Sequence, residues 1–151
     1  MKILRELIML LKNPILVTAL FAWLTAQIMK ILVMILLTKR FDIKMLITAG
    51  GMPSSHSAMV TSIATAIGKI EGWHSPITAL AVVLALIVMY DAAGVRRSAG
   101  RHAEIINIII SELFQQKRII KEDKLKELIG HTPIEVLVGG LWGILIANII
   151  I

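Results

Sequence analysis

The run from Pro14 to Leu37 limits what this chain can fold into more than any other feature, being 24 residues long with one charge, Lys30. A backbone in hydrocarbon has no water to bond, so each N–H and C=O must be satisfied within the segment, which makes the run a helix. Its length of about 36 Å exceeds the roughly 30 Å of a bilayer core. Asn13 and Pro14 mark its start, an N-cap residue followed by a first-turn proline. Similar signals recur downstream. Residues 55–70 form a short second span, and their small, apolar AMVTSIATAIG stretch has the composition that lets membrane helices approach closely. Ser75 and Pro76 precede a third, the uninterrupted apolar stretch 76–90. Thr132, Pro133 and Glu135 open a fourth that stays apolar to Ile151. The expected fold is all-α, an integral membrane helical bundle of about four transmembrane helices.

Two further segments are amphipathic. Ile3, Leu4, Leu7, Ile8 and Leu11 recur at helical spacing with Lys2, Arg5, Glu6 and Lys12 opposite, as in a helix lying in the membrane interface. Residues 92–128 hold most of the charge, yet Ile105, Ile106, Ile109, Ile110, Leu113 and Phe114 keep a helical period, so a charged loop and an amphipathic helix with a basic tail are expected there. With 151 residues, 57% of them hydrophobic, and a mean hydropathy of +0.83, the chain reads as one membrane-embedded domain, 1–151. Its 16 Lys and Arg against 10 Asp and Glu give a net charge of +6, which suits anionic lipid headgroups, and no nucleic-acid-binding module is visible. The absence of cysteine excludes a disulfide framework, a thiolate metal site and a thiol nucleophile. MKILRELIMLLKNP lacks a small-residue cleavage site and is expected to be retained. Four spans would leave four Lys and Arg on the side of the N-terminus and eleven on the other, so the latter loops are expected to face the cytoplasm of a cell membrane.

The second and fourth helices then begin on the same side. GGMPSSHS (50–57) and GHTPIEVLVGG (130–140) each put a histidine where a loop becomes a helix, the end at which unpaired N–H groups and the helix dipole favour an anion. Two such ends facing each other make a phosphate site. Ser54 and Ser55 are small enough to leave N–H groups accessible, and His56, titrating near neutrality, can pass a proton to a leaving oxygen; a plain polar residue at a helix start is the ordinary alternative. His131 and Glu135 are four apart, so the carboxylate can approach the imidazole and set its tautomer, as for a nucleophilic histidine. Equally, Thr132 to Glu135 is a capping box that accounts for the glutamate without any chemistry. Lys30, with Gln27 on the same face, is expensive inside a membrane unless partnered, so it reads as functional rather than as snorkelling to the interface. Arg96, Arg97 and Arg101 follow the third span and match phosphate oxygens in two-pronged fashion, unless one of them pairs with Asp91 or ends in a solvated loop.

PSSHS followed by GHTPIEVLVGG resembles the signature of the type-2 phosphatidic acid phosphatases, the superfamily of lipid phosphate phosphatases and vanadium haloperoxidases. Pro53, Ser54 and His56 match its second motif, P-S-G-H, with Ser55 in place of glycine. His131, Pro133 and Val136 match the third, H-x-P-x-D-V, with Glu135 in place of aspartate. The runs GGMPSSHSA and VMYDAAGVRR look like the small divergent bacterial and plastid branch. Two elements depart from the pattern. The first motif, a lysine with an Arg-Pro pair seven residues on, is missing, because Leu37 stands at that offset from Lys30. Leu125 holds the place of the third-motif arginine, which Arg97 would supply only if the 33 residues before His131 fold back.

The resemblance implies that His131 attacks phosphorus, that Glu135 orients it and stabilises its charge, and that His56 protonates the departing alcohol and then activates water. Lys30 and Arg97, with N–H groups around Ser54 to His56, would hold the phosphoryl oxygens. From the residues themselves, Arg96 and Ser55 are expected to share that role, with Gln27 and Asp91 in support. No metal or other cofactor is required, and the substrate is a lipid phosphate or pyrophosphate monoester. The alternative is a non-catalytic membrane protein that holds anionic lipid or a partner through the same pocket. A transporter is a third reading, and would need a homo-oligomer, since four short spans make a poor path.

Overall fold

The computed structural model describes residues 1–39, 51–94 and 130–151, together with Ser98, Gly100, His102, Ile105, Ile106, Ile108 and Ile109. Its helices are α1 (Lys2–Leu11), α2 (Pro14–Thr38), α3 (Ser55–Glu71), α4 (Pro76–Ala93) and α5 (Pro133–Ile150), with no strand among the described residues. Local chemistry sets the starts. Asn13 Oδ1 accepts from the Ile15 and Leu16 N–H groups at 2.9 and 3.2 Å, Ser75 Oγ from Thr78 at 3.2 Å, and Thr132 Oγ1 from Glu135 at 3.4 Å. A proline follows each cap, where its missing N–H would have had no helical partner.

Three helices are long and apolar enough to cross a membrane, over Pro14–Leu37, Pro76–Ala93 and Pro133–Ile150. The expected short second span, α3, has 17 residues and is rich in serine, threonine and alanine, so length and composition give three spans among the described residues rather than about four. Position explains its composition. α3 is the central helix, packed against α2, α4 and α5. A helix enclosed by protein at membrane depth can carry hydroxyls that a lipid-facing one cannot. Thr61 Oγ1 lies 2.8 Å from the Ser57 carbonyl and 2.9 Å from that of Gly140, and Ser62 Oγ donates to Met59 O at 2.7 Å.

The neighbours of α3 meet it with small residues. Ala19, Ala22 and Ala26 of α2, Ala81 and Ala85 of α4, and Gly139, Gly143 and Ala147 of α5 are buried, while Phe21, Leu24, Leu80, Leu84, Leu137 and Leu141 are exposed. Such a molecule would be inside out in water. In lipid the large side chains meet acyl chains and the small ones let backbones close together. The tightest approach is α3 on α5: a Cβ at Gly139 would collide with the Ser54 carbonyl, and one at Gly143 with the Ala58 carbonyl and the Thr61 hydroxyl. Because 54 meets 139 and 58 meets 143, the two helices run side by side in the same direction, with α5 beginning more than a turn ahead of α3.

α1 is exposed along its whole length and, among the described elements, touches α2 alone, which suits a helix lying on the interface. Ile105, Ile106, Ile108 and Ile109 are helical and exposed; most of the amphipathic helix expected over 92–128 falls outside the described residues. Ile110, Leu113, Phe114 and the basic tail lie outside the described residues.

Candidate functional site

The parallel course of α3 and α5 puts both N-termini, and with them the two histidines, at one end of the bundle. His56 sits in the first turn of α3 and His131 just ahead of α5, their ring centroids 5.9 Å apart and their planes inclined at 65°. His131 is fully buried, and its backbone N–H donates to Ala92 O at 3.2 Å, so the last turn of α4 fixes the loop from the third side. Its Nδ1 lies 3.2 Å from Glu135 Oε2. The same Oε2 accepts the Thr132 N–H at 3.0 Å. A carboxylate oxygen has lone pairs for both, so the capping box and the histidine–carboxylate pair, alternatives in the sequence, coexist in one arrangement. The carboxylate assigns the proton to Nδ1, which leaves the lone pair on Nε2. That Nε2 is buried and has no hydrogen-bond partner among the described residues.

Lys30 arrives from α2 and is 4% exposed, facing the bundle rather than lipid. Its stem runs beside Gly51, whose φ of +100° is strained for any side chain and whose Cβ, if present, would stand 3.1 Å from Lys30 Cγ. The charge of Lys30 acts on both Glu135 and His131. Burial lowers the His131 pKa from its ordinary 6.5; the Glu135 hydrogen bond and charge oppose that, Lys30 adds to it, and the Gly51 backbone favours the cation weakly without the alignment of a hydrogen bond. The ring is therefore neutral at pH 7, the form a nucleophile needs. Gln27 is half-buried one turn before Lys30.

Ser54 and Ser55 are buried at the start of α3. The expectation of open N–H groups from Ser54 onward needs correction, because the Ser54 N–H donates to Glu135 O at 3.0 Å and ties the two histidine turns together. The Ser57 N–H is likewise taken, by Ser54 Oγ at 3.4 Å. Asp91 is exposed on the last turn of α4, and its neighbour Ala92 makes the contact with His131. Arg96, Arg97 and Arg101 lie outside the described residues. Gly51, Ala92 and Gly139 lie within the motif runs, but sequence reasoning gave them no part of their own in the site. For Gly139 the spacing with Gly143 and Ala147 marks a close helix contact without saying with what.

A family model described as the Divergent PAP2 family matches residues 11–146, which include both histidine turns and Lys30. A protein of Bacillus subtilis (strain 168) described as the uncharacterized membrane protein YuiD is 38% identical over 154 residues, covering 93% of this chain and 96% of that protein. No solved structure matches.

Proposed function

The chain belongs to the Divergent PAP2 family, and on that premise we propose that it hydrolyses a lipid phosphate or pyrophosphate monoester through a phosphohistidine. The observation that carries this reading is the buried His131 imidazole, held at Nδ1 by Glu135, with Nε2 unpaired among the described residues and the His56 ring 5.9 Å away. The Nε2 lone pair attacks phosphorus while the bond from phosphorus to the leaving oxygen breaks, and His56 gives that oxygen a proton. Glu135 stabilises the positive charge that develops on the His131 ring. His56 then takes a proton from water, whose oxygen attacks phosphorus and breaks the P–N bond. Inorganic phosphate leaves, and His131 returns to its neutral form. Lys30 and the N–H groups of Ser55 and His56 are read as holding the phosphoryl oxygens, where fixed charge acts most strongly; the resemblance adds Arg97, with Arg96 beside it in the chain.

We read α3 as a fourth crossing. Seventeen residues reach the lower end of the length range for a span, and enclosure by α2, α4 and α5 spares it from lipid. The excess of Lys and Arg beside the histidine turns then puts the pocket on the cytoplasmic side of the cell membrane. The test is phosphate release by the purified protein from phosphatidate, phosphatidylglycerophosphate and a polyprenyl pyrophosphate, with the intermediate trapped and mapped by mass spectrometry. Release with phosphate caught on His131 is the expected result. Binding of vanadate or anionic lipid without any release would leave the non-catalytic reading instead.

A further inference from the structure

Below the histidine pair, where α3, α4 and α5 meet, lies a cavity of about 240 Å³ whose walls include Thr61, Ala64, Trp73, Ala85, Met89 and Ile144, with no charged side chain among them. We propose that this cavity seats the hydrocarbon chain of the lipid whose phosphate occupies the His131 pocket, an inference that rests on the phosphatase reading above. Register carries the argument first. Thr61 is five residues beyond His56, or roughly 7 Å along α3, and the floor is the Trp73 ring on Gly68, roughly 18 Å from His56. At the upper end Met89 lies over Gly140 beside Thr61, one turn before Ala92, whose carbonyl accepts the His131 N–H. The three helices that hold the two histidine turns therefore also wall the cavity, farther along the bundle.

Depth and shape specify the occupant. α4 and α5 are apolar enough to span the membrane, and Val82 and Leu86 on the cavity wall are exposed, so the opening faces hydrocarbon. Ala64 and Ala85, neighbours in the buried cluster, hollow out the space that larger side chains would fill. Met89, unbranched and flexible, lines the upper end and can yield to a passing chain. A chain entering from the bilayer exchanges one hydrocarbon surrounding for another, so it gains little hydrophobic energy. What it gains is position: with the chain seated, the phosphate is delivered to Nε2 in a fixed orientation.

The full-length protein in detergent tests this in two ways. In Ala85→Phe the ring fills the cavity, and the ratio of kcat/KM for a long-chain phosphatidate to that for a soluble aryl phosphate should fall by about tenfold, the scale of a lost positioning contact; an unchanged ratio overturns the proposal. Independently, a phosphatidate carrying a mid-chain diazirine should label residues 61–68 and 82–89 of the wild-type protein several-fold more than the matching phosphate-free diacylglycerol. Equal labelling by both probes would mean ordinary bilayer lipid and would overturn it. Should Ala85→Phe fail to fold, the labelling decides. Should the wild-type protein release phosphate from neither substrate, the phosphatase reading falls on its own, and the labelling contrast still sustains or overturns a chain seat for an anionic lipid.

Discussion

Glu135 Oε2 holds both the start of α5 and the His131 ring, so one substitution probes two roles. In Glu135→Gln the amide oxygen can still accept the Thr132 N–H, which keeps the loss of stability to about 1 kcal/mol. It brings no negative charge to a developing imidazolium, so phosphate release should drop by roughly two orders of magnitude or more. His131→Ala removes the attacking atom and should abolish release altogether. Parallel hydrolysis and thermal unfolding measurements in detergent check both variants, and an unchanged rate in Glu135→Gln would reduce the carboxylate to a cap. Acidity gives a second expectation. His131 is faced by Lys30 from α2, His56 from α3 and Glu135 from α5, and burial makes the folded protein refuse a proton that the unfolded ring accepts near pH 6.5. The stability it contributes is present in full above that pH and is lost as pH falls through 6.5 toward the lower folded value. The melting temperature of the wild type should thus drop between pH 7 and 5 more than that of His131→Ala, and a parallel drop in both would refute this assignment.

At the level of elements, the bundle is held by close backbone approach, which makes its outer surface tolerant and its inner one unforgiving. Gly143→Leu would drive a branched side chain into the Ala58 carbonyl and the Thr61 hydroxyl, at a cost of about 3 kcal/mol or more, and would part α3 from α5. Leu141→Ala, two residues earlier on a 67% exposed position, should change stability by less than about 0.5 kcal/mol. Melting curves of the two in the same detergent should therefore rank opposite to the order expected for a water-soluble core. Helix starts were legible in the sequence because a cap is local: Asn13, Ser75 and Thr132 each act within three residues. The rank of α3 among the helices was not. Its serines and threonines read as a short span, whereas they are the surface on which three neighbours close.

For the molecule as a whole, the decisive question is whether α3 crosses the membrane with its neighbours. Lys39 ends α2 and His74 joins α3 to α4, so a crossing α3 puts these two positions on opposite sides, and a re-entrant one puts them together. A chain without cysteine makes this directly measurable. A membrane-impermeant maleimide added to intact cells should label His74→Cys, and should label Lys39→Cys only after permeabilisation, by the excess of Lys and Arg on the latter side. Labelling of both from one side would remove the fourth crossing.

The sequence alone determined the membrane setting, the helix starts and the spacing that lets Glu135 reach His131, because hydropathy, caps and i to i+4 neighbours act over a few residues or along a single helix. Only the tertiary structure decided that His56 lies beside His131, that Lys30 turns into the bundle against Gly51, that Ala92 holds the histidine loop, and that the Ser54 N–H is already bonded. The physical reason is the solvent. In water, burial of large apolar residues shows which face of a helix is inward, but lipid chains are as apolar as leucine and set no such preference. The inward faces here are chosen by where alanine, glycine and serine let two backbones touch, and that is a property of pairs of helices rather than of any one of them.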